Sequence, residues 1–108
     1  MKSTEFANWL RQEKHMAEDA IHSRVSNCNR IDQIYDLDKQ YSIDGCEGLF
    51  TVLSYSKEAE KIGAPALHKI EIKGNLYEGS ATLKAAVKLY AEFMHKTILT
   101  TKKQRSAL

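Results

Sequence analysis

Apolar side chains return at helical intervals along most of this chain, and the longest such stretch, SATLKAAVKLYAEFMHKTIL from Ser80 to Leu99, organises the rest. Ala86, Val87, Tyr90 and Phe93 follow Leu83 by 3, 4, 7 and 10 residues, which gathers all five on one face of a 3.6-residue helix. Ser80, just after Gly79, suits an N-cap, and Lys84, Lys88, Glu92 and Lys96 line the opposite side. Lys88 and Glu92 are one turn apart and predict a weak supporting pair.

Earlier segments repeat the pattern. Ser3 or Thr4 caps a first helix reaching about Lys14, with Phe6, Trp9 and Leu10 as its apolar stripe and His15 and Met16 at the break. A second helix is expected from about Ala17 to Tyr35, where Ile21, Val25, Cys28, Ile31 and Tyr35 recur at steps of 4, 3, 3 and 4. On its polar side Ser23, Asn27 and Arg30 share a stripe, with Arg24 beside it. Asp36 to Gly45 reads as a short helical turn closed by Gly45, Glu47 to about Tyr55 as a third helix with Leu49, Phe50 and Leu53 inward, and Ser56 as the cap of one more turn ended by Gly63.

From Gly63 to Gly79 the helical period stops. The only proline, Pro65, lies here, and Ile70 and Ile72 alternate with Lys69, Glu71 and Lys73 before Gly74 and Asn75. That alternation predicts a short extended arm or hairpin, which must pack on the helices because a lone hairpin is marginally stable. The expectation is an all-α fold, a SAM-like bundle of four or five helices with this arm before the last helix. One domain fills residues 1–99, and a basic, flexible tail fills 100–108.

With 108 residues there is enough apolar material for one core. The formal charge of +2 conceals a gradient. Asp32, Asp36, Asp38, Asp44, Glu47, Glu58 and Glu60 outweigh Lys39 and Lys57 to give −5 over residues 32–60, whereas Lys84, Lys88, Lys96, Lys102, Lys103 and Arg105 outweigh Glu92 to give +5 over 84–108. Such a chain can turn a basic face to a polyanion. No long apolar core follows Lys2 and no run approaches the roughly 20 residues of a membrane span, so a cytoplasmic protein without membrane contact is expected.

Catalytic patterns are missing from the sequence. His15, His22, His68 and His95 are scattered outside any metal-ligand spacing and read as surface histidines; Asp36, Asp38 and Asp44 do not form an EF-hand loop; no phosphate-cradling glycine motif or serine elbow occurs. Cys28 and Cys46 are not in a CxxC pair and read as buried free thiols. No cofactor, metal or enzymatic activity is expected. Short polar side chains with arginines on one helix face are what a helix needs to lie along phosphates, though the same stripe also suits plain solvent. Among the tyrosines, Tyr77 between Lys73 and Lys84 is best placed to stack on a base, and packing is its competing role.

Two segments carry a resemblance. RIDQIYDLDKQYSIDGCEGLFTVLSYSKEAE from Arg30 to Glu60 and HKIEIKGNLYEGSATLKAAVKLYAEF from His68 to Phe93 resemble an N-terminal helical module of bacterial DNA-processing and defence proteins that continue into nuclease or other domains. An early Phe-x-x-x-Leu helix, a polar second helix and a final Ala-Val-x-x-Tyr-x-x-Phe helix are similar to the SAM-like core-binding domain of tyrosine recombinases, bacterial or phage. That resemblance implies a clamp on DNA: Ser23, Arg24, Asn27 and Arg30 would face the duplex, Lys84 and Lys88 would meet phosphates, and Lys102, Lys103 and Arg105 would add charge from the tail. The recombinases' catalytic Arg, His-x-x-Arg and Tyr set has no counterpart here, and the Ala64 to Gly79 arm is longer than in their module. The expected function is a non-enzymatic DNA-binding module. The alternative is a protein-interaction module, either a homodimer or an adaptor or inhibitor docking on a larger, catalytic protein.

Overall fold

In the computed structural model the backbone is described for residues 1–106 and the side chains for residues 1–99. Six helices follow one another: α1 (Ser3–Gln12), α2 (Glu18–Tyr35), α3 (Leu37–Asp44), α4 (Glu47–Leu53), α5 (Lys57–Ile62) and α6 (Leu76–Ser106). Five of them, all but α5, contribute buried residues, so the packed body is the expected small helical bundle. No strand forms among the described residues.

Local chemistry explains most boundaries. Asp36 takes a left-handed conformation (φ 52°) that ends α2, and its carboxylate accepts the Lys39 N–H at 3.3 Å to begin α3. Ser56 accepts the Ala59 N–H to begin α5, and Gly63 closes it in the left-handed region that favours glycine. Lys2, rather than the side chain of Ser3 or Thr4, stands before α1, which ends at Gln12, short of Lys14.

The largest departure concerns α6. It starts at Leu76, four residues before Ser80, because Asn75 is its cap: the Asn75 side chain accepts the Glu78 N–H at 2.8 Å. Gly79 and Ser80 are interior helical residues, and Ser80 is fully buried. The helix also runs through Ser106, so the backbone of most of the expected tail is helical; the side chains of Lys102, Lys103 and Arg105 lie outside the described residues. At 31 residues it is about 46 Å long.

α6 is the spine, with α1, α2, α4 and α5 packed on it. Leu83, Ala86, Val87, Tyr90 and Phe93 are buried as their spacing predicts, and Met94 joins them. They meet Phe6 and Leu10 from α1, Ile21, Cys28 and Ile31 from α2, Leu37 from α3, and Leu49 and Leu53 from α4. Phe6 packs edge-on to Tyr90 with ring centroids 5.1 Å apart, and Phe93 tilts against both. The buried Tyr90 hydroxyl donates to Asp38 at 2.5 Å and accepts the Lys2 N–H at 3.0 Å, which satisfies it. Glu92 pairs with Lys14, just past the end of α1, at 2.7 Å instead of with Lys88.

Candidate nucleic-acid interface

The expected DNA-facing residues begin on α2. Cys28 and Ile31 turn inward, which leaves Ser23 and Arg30 exposed and Asn27 half-buried along one flank. Arg24 is half-buried beside them, and its charge opposes the burial that pushes the Cys28 thiol up to about 12. Between Ala20 and Arg30 α2 carries no acidic residue.

The arm packs against this flank. It is irregular, not a hairpin, and polar groups hold it at each step. The Lys69 N–H donates to the Tyr35 hydroxyl at 2.9 Å, and Arg30 Nη2 donates to the Glu71 carbonyl at 2.5 Å. Ile70 enters the core. His68 is buried, unlike the exposed His15, His22 and His95, and this overturns its reading as a surface histidine. The Ile70 N–H donates to His68 Nδ1 at 3.2 Å, so Nε2 carries the proton and donates to Ser80 Oγ at 2.8 Å. Burial lowers the pKa of His68 and favours this neutral form. The pair is a latch between arm and helix. Ser80 Oγ is sealed in the core with no path to a substrate, so the arrangement does not serve as a nucleophile and base.

Further along, Ile72 lies against Gly79. A Cβ at Gly79 would overlap Ile72 Cγ2, so the close approach of arm and α6 requires glycine there. Between α2, the arm and α6 a cleft of about 530 Å³ remains open. Its deep side is formed by Ile70, Ile72 and Leu83, and its rim carries Asn27, Arg30, Gln33 and Lys73.

The lysines of α6 are elsewhere. Lys84 is two residues from Thr82, which lines the α2 cleft; that is about 200° around a helix. It lies in a second groove of about 510 Å³ with Leu53, Tyr55, Leu67, Tyr77 and Ala81, where its ammonium donates to Ser54 Oγ at 2.7 Å. Lys88 is exposed one turn beyond it. Of the expected residues, Asn27 and Arg30 share the cleft, Ser23 lies on their helical stripe with Arg24 beside it toward Cys28, and Lys84 and Lys88 stand on the opposite flank of α6. Tyr77 belongs to the first turn of α6, half-buried, with Lys57 Nζ 5.7 Å from its ring centroid. It is a packing residue of the second groove.

Spacing along α2 could not reveal Gln33, Lys73 and Thr82 as cleft residues. Gly79 gave no signal either, because the sequence places it just before an expected helix start at Ser80 rather than inside the helix. Among the described residues, no group of three or more His, Cys, Asp or Glu side chains could hold a metal ion, and no helix is long and apolar enough to cross a membrane. Cys46 is buried like Cys28, and its thiol is pushed up to about 11 by burial and then by Asp44, so both cysteines are poor nucleophiles at neutral pH.

Comparison with protein-family models, with curated proteins and with solved structures finds no match for this chain.

Proposed function

We propose that this chain is a non-enzymatic DNA-binding module that meets the phosphate backbone through the arm-side flank of α2. The observation that carries the reading is the stretch from Ala20 to Arg30, eleven residues without a carboxylate in which Arg24 and Arg30 stand among Ser23, Asn27 and Asn29. Cations interspersed with short hydrogen-bonding side chains on a rigid helix suit phosphate oxygens, and no neighbouring acid in that stretch repels them. Lys84 and Lys88 do not belong to this interface.

Anisotropy titration of labelled mixed-sequence duplex tests it. With Arg24 and Arg30 each neutralising one phosphate, affinity falls about 12-fold between 50 and 200 mM salt. Because Arg30 also holds the arm, the informative variant is Arg24→Glu with Ser23→Asp, which leaves the Glu71 contact in place. Loss of binding with unchanged helical circular dichroism is the expected result; undiminished binding by this variant rejects the interface.

A second reading, protein interaction, has its own observation: Leu67 is 71% exposed on the rim of the second groove, and Ile62 nearby is 81% exposed. The occupant it names is a second copy of the chain. Ile43, 64% exposed, stands beside Asp44 and Glu47, and so offers an aliphatic side chain with carboxylates to a groove whose one charged lining residue is Lys84. Light scattering on eluted protein at several concentrations tests this, and a monomer throughout removes it.

A further inference from the structure

We infer that the cleft between α2, the arm and α6 is a nucleotide-binding site, taking a base on its apolar floor and the attached phosphate at its basic rim. The inference rests on the DNA-binding reading for the source of the nucleotide and goes beyond it, since backbone contact alone needs no cavity.

Three features of the cleft fit a nucleotide. Its volume, about 530 Å³, falls within the range of pockets that take small organic ligands. Its floor, Ile70, Ile72 and Leu83, is aliphatic, and Ile34 at the mouth is 46% exposed; apolar side chains on the faces of a base are how unstacked bases are held. Its edges carry the Asn27 and Gln33 amides, each with a donor and an acceptor in one plane, which is the pattern the polar edge of a base presents in return. A purely hydrophobic ligand would leave these amides unused.

The phosphate end is equally defined. Arg30 and Lys73 border the same cleft from α2 and from the arm. A guanidinium has five N–H donors, and the contact with the Glu71 carbonyl holds Arg30 Nη2 in position while leaving the fork able to meet an anion. Glu71 is the one acidic residue of the lining. Gly79 is what makes the site possible, because its missing Cβ lets Ile72 settle on α6 as part of the floor.

The groove on the opposite flank makes a useful contrast. It is of nearly equal volume, about 510 Å³, but no asparagine, glutamine or arginine lines it. A nucleotide therefore has reason to choose one flank and not the other.

The test uses the full chain with labelled isoleucine δ1 methyl groups, titrated with each of the four deoxynucleoside 5′-monophosphates, with inorganic phosphate as control. The expected result is saturable movement of the Ile34, Ile70 and Ile72 methyl signals with at least one nucleotide and none with phosphate alone. Filling the cleft by Thr82→Phe abolishes these shifts. Unmoved methyl signals with all four nucleotides at about 10 mM, where even a millimolar site is nearly saturated, overturn the inference.

A duplex carrying 2-aminopurine separates the possible sources. A several-fold fluorescence rise on binding identifies an extruded base of DNA as the occupant. Methyl shifts with free nucleotides but no rise identify a mononucleotide site. Methyl shifts without any duplex binding retain the site and reject the DNA-binding reading, whereas salt-sensitive duplex binding without methyl shifts does the reverse.

Discussion

The two flanks of α6 are built from one helix by opposite means. On the α2 side, Gly79 and Ser80 replace bulk with closeness: one lets Ile72 touch the helix and the other receives the buried His68. The resulting cleft is apolar below and lined with amides and cations above. On the α4 and α5 side, Ala81 and Lys84 leave a groove with an aliphatic and tyrosine lining, one ammonium and a prominent Leu67. Small residues at consecutive positions therefore do different work. Which flank a position serves is decided by the 100° that each residue turns around the helix.

The contrast is sharpest at Gly79 and Ala81. Gly79→Val forces a branched side chain into Ile72, and the overlap costs about 1–3 kcal/mol, a fall of roughly 4–8 °C in Tm per kcal/mol for a domain near this size. Ala81→Val, on the exposed side, loses only helix propensity, about half a kcal/mol. Thermal melts of the two variants compare the flanks directly. If Gly79→Val is as mild as Ala81→Val, the arm is not held against α6 as described.

Acid provides a second way to break only one flank. Burial lowers the folded-state pKa of His68 below its ordinary value near 6.5, so the unfolded chain takes up the proton first as pH falls. The contribution of the latch is complete above about pH 6.5 and declines as the solution becomes more acidic. The protonated ring would also carry a hydrogen at Nδ1, where it faces the Ile70 N–H, donor against donor. His68→Gln keeps a neutral donor and acceptor and removes the titration. The wild-type Tm is expected to fall more steeply than that of His68→Gln between pH 7 and 5; parallel curves would show that His68 does not latch the arm.

Helices α2 to α5 were legible because their signals are local: apolar spacing, and Asp36, Gly45, Ser56 and Gly63 at the ends. The start of α6 was hidden because Gly79 followed by Ser80 imitates a helix boundary. Asn75, four residues upstream, is the true cap, and glycine is tolerated inside because the arm needs the space. The alternation of Ile70 and Ile72 was real, but it reflects an arm anchored by Tyr35, Arg30 and Ser80 rather than a paired strand. For the candidate site, the α2 stripe was readable from spacing. Its separation from Lys84 was not, since periodicity gives the face of a helix and only tertiary packing says which neighbour covers it. The burial of His68 is likewise a property of the arm's path, which leaves no mark on a lone histidine.

The smallest expected effect tests whether the flanks also differ in function. Lys84 is half-buried with a single neutral partner, Ser54, and its surroundings are apolar. Lys84→Met loses one hydrogen bond, and the change in stability is expected to stay within about 1 kcal/mol because the lost bond is offset by apolar contact. Duplex affinity of this variant at 50 mM salt is expected to match the wild type, and the slope of log K against log salt to stay constant, whereas removal of a true phosphate contact lowers that slope by about one. A slope lowered equally by Lys84→Met and by Arg24→Met would mean that DNA meets both flanks at once. The duplex would then have to wrap around α6, since Lys84 is about 200° around that helix from Thr82, which lines the cleft on the α2 side.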